Sequence, residues 1–490
     1  MDLRRKICTV ISSIVTVGLI VILLKYSTNL MERKSSDIKF SPFFEEKENY
    51  DVLFMGTSHV LNAVFPMELW NDYGIVSYNC GGHGNALATT YWIMENTLEY
   101  TAPQLMVIDC YGLSDITKTS TSYFGYVHST FDAFPLGTMK LKAIFDLLDD
   151  EVAEDIVSQK NSTESRTRLE LLWNYSIYHT RWNELTKEDF IPTLTKEKGA
   201  ESRIAIGNPV EIEKISEDDK MEGDTISVKY LEKMIEDCQR RGIDILLVYI
   251  PWRATDSYYQ REANRINDIA EKYNINYINF LNKDIVDWKT DLYDEGRHLN
   301  PSGARKITDF LGHYITEHYN ILDQRRNEDY SDWYFDYKEY KDFKLANLKA
   351  QESLDLYLML LADKSYSAII KINNTEIWNN HYYINFFENL GVEIDKITEN
   401  VDILIIQEDE KKVKYLEDLH SYIDGKNASL IDSNNKEYYT RTLENDEDAD
   451  IQIGVIDNET KEIVDIGIFS ITSKNDIKED YIETTRIDRE

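Results

Sequence analysis

Residues with the chemistry of a nucleophilic hydrolytic site stand far apart in this chain of 490 residues. One segment reads Asp51-Val-Leu-Phe-Met-Gly-Thr-Ser58-His59, and another reads Tyr293-Asp294-Glu295-Gly296-Arg297-His298. A serine hydroxyl is a poor nucleophile until a base removes its proton, and an imidazole oriented by a carboxylate is such a base. The apolar run at 52–55, ending at Gly56, predicts a buried strand entering a tight turn. That places Ser58 at the carboxyl edge of an open sheet, where α/β folds bind ligands. Between the two segments lies Asn79-Cys80-Gly81-Gly82-His83-Gly84, where glycine lets backbone N–H groups approach a developing oxyanion. The strand-to-helix elbow G-x-S-x-G is absent.

Together these segments resemble the SGNH (GDSL-type) hydrolases, with Gly56-Thr-Ser58-His59 as the nucleophile block and the stretch from Asp294 to Gly303 as the acid-base block. The resemblance implies Ser58 as nucleophile, His298 as general base, and the backbone N–H groups of Ser58 and Gly81 as oxyanion donors. Two positions depart from the family pattern. The third block, usually Gly-x-Asn-Asp, reads Asp109-Cys110-Tyr111-Gly112, so Asn85 or Asn79 would have to supply the missing donor. The acid usually stands three residues before the histidine, where this chain has Glu295, whereas Asp294 stands four before. Asp294 is assigned as the acid, with Glu295 as the alternative, and His59 and His83 are read as lining the site. The other histidines show no ligand spacing and the four cysteines form no C-x-x-C, so neither a metal nor a cofactor is indicated.

The elements that must position these residues alternate. Strand patterns at 51–55, 75–78, 105–108, 243–250 and 275–280 are separated by helical patterns at 86–96, 228–240, 257–272 and 304–319. The alternation argues a parallel sheet covered by helices on both faces, and the resemblance implies a flavodoxin-like three-layer α/β/α domain spanning 49–322. Residues 115–224 interrupt it as a helical insertion, too long for a plain loop and expected to cap the site. Its Trp173, Tyr175, Tyr178 and Trp182 suit either stacking on sugar rings or packing the insertion.

Beyond residue 322 the composition shifts. Residues 321–490 hold 39 Asp and Glu against 20 Lys and Arg, a net of −19 out of the whole-chain −34. Apolar runs persist there, which predicts a second, smaller α/β domain over 323–490. Its charge disfavours nucleic acid as a partner by repulsion.

Arg4-Arg5-Lys6 precedes an uncharged stretch from Ile7 to Leu24, about the minimum length that crosses a bilayer as a helix. No Ala-x-Ala cleavage site follows. Residues 1–30 are therefore read as a cytoplasmic flank with a retained transmembrane signal anchor, and 31–48 as a linker. The basic flank keeps the amino terminus inside, so the rest of the chain is expected to be extracytoplasmic on a single-pass cell-membrane protein. The resemblance extends to membrane-anchored SGNH proteins of teichoic-acid D-alanyl transfer and alginate acetylation. It implies a serine esterase or O-acyltransferase acting on cell-surface glycans or wall polymers, with a membrane-bound O-acyltransferase as partner. The alternative is a catalytically weak or inactive scaffold that presents a polymer to such a partner.

Overall fold

The computed structural model describes all residues except 1, 33–40, 47, 120–123, 149–167, 173–174, 191–195, 252–256, 398–401, 408–410, 417–422, 425–426, 432–436, 441–448, 473–482 and 488–490. Five parallel strands form the first sheet: β1 (Val52–Gly56), β2 (Ser77–Gly81), β3 (Leu105–Asp109), β4 (Asp244–Tyr249) and β5 (Asn276–Asn279), ordered β2-β1-β3-β4-β5. Every residue of β1, β2 and β3 is buried, as expected of strands covered on both faces. Successive side chains point to opposite layers. Leu53 and Met55 enter a core with Ile93, Leu231, Ile235 and Ile266, whereas Val52 and Phe54 enter one with Leu69, Ile307, Leu311 and Ile315. The helices Leu87–Thr97, Ile226–Arg241 and Ser257–Tyr273 thus cover one face, and Pro66–Tyr73 and Pro301–His318 the other.

The strand order reverses beside β1, with β2 on one flank and β3, β4 and β5 following on the other. A doubly wound sheet opens its crevice at such a reversal, at the carboxyl ends of the strands. The chain places the segment after β1 there.

The second sheet is antiparallel, which corrects the expectation of a second α/β domain. Its order is Glu483–Arg486, Ile463–Thr472, Ile451–Asp457, Tyr366–Ile372, Asp402–Gln407 and Lys411–Leu416. The helices Leu354–Leu361 and His381–Asn389 pack against it through Tyr357, Leu358, Tyr383 and Phe386. An apolar run reports burial without distinguishing parallel from antiparallel pairing.

The change in packing does not coincide with the change in composition at 322. The helix Trp333–Lys349 lies beyond that boundary, yet it buries Trp333 and Tyr340 in the core of the first sheet. Trp333 meets Trp70 with ring centroids 5.4 Å apart and Tyr50 at 6.3 Å, and its Nε1 donates to Glu48 at 2.9 Å. Tyr340 and Lys344 both donate to buried Glu68, at 3.1 and 2.7 Å, while Asp363 pairs with Lys344 at 3.0 Å and with Arg305 at 3.1 Å. Losing one partner of such a buried network leaves an uncompensated charge, so these groups tie the two sheets' domains together. The expected linker is packed in part as well, since the helix Ser41–Glu46 carries buried Phe43 and Phe44.

Trp333→Ala is therefore expected to destabilise the first domain by about 3–5 kcal/mol. Equilibrium denaturation followed by far-UV circular dichroism measures this, and an unchanged midpoint would show that the helix is peripheral to that core.

Candidate active site

Strand β1 ends in close contact with β3. A Cβ on Gly56 would lie 2.8 Å from the Cβ of Asp109 and 2.8 Å from Val60, so a larger residue would push the strand end away. Thr57 then caps the short helix Ser58–Ala63, its hydroxyl accepting from the His59 N–H at 3.2 Å. Ser58 occupies the first helical position, and its backbone N–H has no partner among the described residues.

The Ser58 hydroxyl lies 2.8 Å from His298 Nε2, joining residues 240 positions apart. His298 Nδ1 lies 2.7 Å from Asp294 Oδ2. The other oxygen of Asp294 accepts from the backbone N–H groups of Arg297 at 2.7 Å and His298 at 3.0 Å. A carboxylate four residues before the histidine reaches the ring because the chain turns through Gly296 at φ 84°, a left-handed conformation that favours glycine. The structure thus brings Ser58, His298 and Asp294 into one relay, with Asp294 rather than Glu295 on the imidazole. Partial burial pushes the Asp294 carboxyl up, but the hydrogen bonds from His298 and Arg297 outweigh it and hold the group below its ordinary range. It is ionised at neutral pH.

A buried carboxylate with no counterpart in the sequence reading fixes this turn. Asp291 accepts from Lys306 at 2.6 Å, from Ser302 at 2.8 Å and from the Asp287 N–H at 2.8 Å. Asn300 caps the following helix through Ser302 N at 3.0 Å and donates to Thr290 O at 2.7 Å. Asn389, from the second domain, donates to Ser302 Oγ at 3.0 Å and accepts from Lys306 at 2.7 Å. The acidic region therefore touches the brace of the acid-base turn. The signal that could have located this helix start is Asn300-Pro301, just before the helical pattern at 304–319. The contact from Asn389 had no local signal.

The expected oxyanion donors are arranged differently. The Gly81 N–H donates to Asn79 Oδ1 at 2.9 Å and so is engaged. Asn79 spends its amide on Val60 O and Val64 O, both at 2.8 Å, clamping β2 to the nucleophile helix. Asn85 has its Nδ2 3.5 Å from Gly56 O and its Oδ1 accepting from Thr130 at 3.0 Å. In the third block, Tyr111 packs its ring 4.1 Å from that of His59, which in turn lies 5.6 Å from the ring of His298. Burial lowers the His59 pKa to about 3, helped by repulsion from His298, so His59 is a neutral ring beside His298. His83 faces the opposite rim, 3.2 Å from Glu201 and 3.5 Å from Arg203, whose guanidinium lies 5.5 Å from the ring centroid of Tyr293. Glu201 and Arg203 come from the insertion, and no motif pointed to them.

Cys80 and Cys110 are free and buried. β1 lies between β2 and β3, which keeps the two thiols apart. Among the described residues no cluster of three or more His, Cys, Asp or Glu side chains is placed to hold a metal.

Asp109 sits beneath this floor, fully buried, with Oδ1 accepting from Ile250 N at 3.1 Å and Oδ2 without a partner among the described residues. Burial pushes its carboxyl up to about 7, with repulsion from Glu262 adding to the rise. The folded state therefore binds a proton that the unfolded chain releases near pH 4, so this group's stabilising contribution is lost as pH rises from about 4 to about 7. Asp109→Asn imitates the protonated form. Its melting temperature relative to the native protein is expected to be higher at pH 8 than at pH 5. A difference independent of pH would refute the buried neutral carboxyl.

No family model matches the chain, and no curated protein matches it. Among solved structures it is similar to a protein of Bacteroides fragilis described as a "putative acylhydrolase", with 11% identity over 56% of this chain and 92% of that one and a TM-score of 0.26. A likeness this slight leaves function to be read from the site itself.

Proposed function

We propose that this chain is a membrane-anchored, extracytoplasmic serine esterase or O-acyltransferase of the SGNH type, acting on acyl esters of cell-surface glycans or wall polymers. The observation that carries the chemical part is the continuous hydrogen-bonded relay from Ser58 through His298 to Asp294 at 2.8 and 2.7 Å. The address rests on the helix Arg5–Met31, among the described residues the one long and apolar enough to cross a membrane. The polymer substrate and an acyltransferase partner come from the resemblance of the motifs.

In this mechanism the Ser58 hydroxyl gives its proton to His298 Nε2 as its oxygen attacks the ester carbonyl. The ionised Asp294 holds the imidazole with Nε2 toward Ser58 and stabilises the imidazolium that forms. Negative charge on the carbonyl oxygen is met by the Ser58 N–H and the Asn85 amide, each such donor being worth about 3 kcal/mol. His298 returns the proton to the departing alcohol, leaving an acyl-serine. Water or a glycan hydroxyl, activated by the same imidazole, then resolves it. Neutral His59 keeps one side of the base dry, and Tyr293, Arg203 and His83 border the opposite side.

One observation favours the scaffold reading: the Gly81 N–H is already spent on Asn79, and Tyr111 stands in the block where a donor is expected. Kinetics separate the two. With an activated acetyl ester, Ser58→Ala and His298→Ala are each expected to lower kcat by at least about 10³-fold, and the double variant little further, because the residues act as one unit. Asp294→Asn is expected to fall by orders of magnitude while Glu295→Gln stays near the native rate. Additive losses, or a native protein no faster than Ser58→Ala, would contradict catalysis at this site and leave the scaffold.

A further inference from the structure

The anchor helix, Asp2–Glu32, meets the body of the protein only in its last turns. Its side chains are exposed from Arg5 to Val17, and Thr28, Leu30 and Met31 are buried. The elements packed on it belong to the insertion: Tyr175–Tyr178, His179–Glu184 and Glu188–Phe190. Arg181 donates to Met31 O at 3.5 Å and stacks over Tyr178 at 4.5 Å, and Tyr178 donates to Asp132 Oδ2 at 2.5 Å. The insertion is thus fixed both to the end of the anchor and to the helix Phe124–Phe131 and its Asp132 C-cap region.

Trp182 and Phe190 on these short helices are left 70% and 54% exposed. Two large exposed aromatics on neighbouring short helices beside the anchor are the kind of surface that a membrane covers. The height at which they sit identifies the cover. The uncharged stretch ends at Leu24, and Lys25 marks the membrane boundary. Thr28 to Met31 lie three to six residues further, roughly 5–9 Å along a helix. The polar headgroup layer on each side of a bilayer is about 5–8 Å deep. The elements touching Thr28–Met31 therefore stand at headgroup depth, where tryptophan and other amphipathic aromatics partition.

We infer that Trp182 and Phe190 form an interfacial foot, seated in the headgroup layer of the bilayer that the anchor crosses. This rests on the reading of the uncharged stretch Ile7 to Leu24 as a membrane span. The same insertion continues to Glu201 and Arg203 at the rim of the Ser58 site, and its backbone is joined to that site by Glu201 N to Leu61 O at 3.0 Å and Gly207 N to Leu292 O at 2.8 Å. A seated foot holds the site at a fixed height and orientation over the membrane, which suits acyl groups delivered from a membrane-bound donor.

The test uses the full chain in phosphatidylcholine vesicles, with Cys8→Ser removing the exposed native thiol and the three remaining cysteines buried. A nitroxide is attached singly at Ile14→Cys, Trp182→Cys, Phe190→Cys or, on the second domain, Thr460→Cys. Collision with oxygen, which concentrates in lipid, is compared with collision with a water-soluble nickel complex. The expected oxygen-to-nickel ratio is highest at 14, several-fold above the 460 value at 182 and 190, and lowest at 460. A lipid-like signal at 14 with 182 and 190 matching 460 would overturn the foot and leave the anchor standing. A water-like signal at 14 would overturn the membrane span, and the foot with it.

Discussion

The account depends on one contact, the 2.8 Å approach of the Ser58 hydroxyl to His298 Nε2. The two residues are brought from opposite ends of the first domain, so every intervening element must be placed before they can meet. The parallel sheet does this by fixing the end of β1 against β3, with no room for a side chain on Gly56. The helix Pro301–His318 does it from the other end, since its packing through Ile307, Leu311 and Ile315 locates the turn before it. The relay is then a consequence of two rigid anchors and a turn of fixed shape, and the charge on Asp294 is sustained by the same hydrogen bonds that define that turn.

Much of this was legible because it was local. Strands β1 to β5 appear as short apolar runs between helical patterns and lie within a few residues of where those runs predict them. Gly296 signalled a turn through which either Asp294 or Glu295 could reach the ring; only the folded turn, with Gly296 left-handed, puts Asp294 on Nδ1. The arrangement around the oxyanion was not legible. Gly81 is a glycine at the right strand end, yet its N–H is consumed by Asn79, a side chain two residues away whose direction depends on carbonyls of another helix. Sequence pattern reports which groups are available and not which ones the fold has already paired.

The change in composition at 322 and the change in packing differ for a related reason. Acidity rises after 322, but acidity describes the surface, whereas membership of a core is decided by Trp333, Tyr340 and Lys344. Glu68, Arg305, Lys344 and Asp363 are each unremarkable charged residues in the sequence and become a buried junction only in three dimensions. Through that junction, and through Asn389 beside Ser302, the acidic region is mechanically continuous with the acid-base turn. The region therefore has a structural role in the first domain whatever surface it presents outward.

The most direct measurement is the location of a covalent adduct. The full chain is treated with a fluorophosphonate, digested and sequenced by mass spectrometry. The account predicts one stoichiometric adduct on the peptide holding Ser58, formed at a rate that falls when Asp294 is replaced by Asn. Failure of Ser58 to react while the protein remains folded, or an adduct on a different serine, would contradict it.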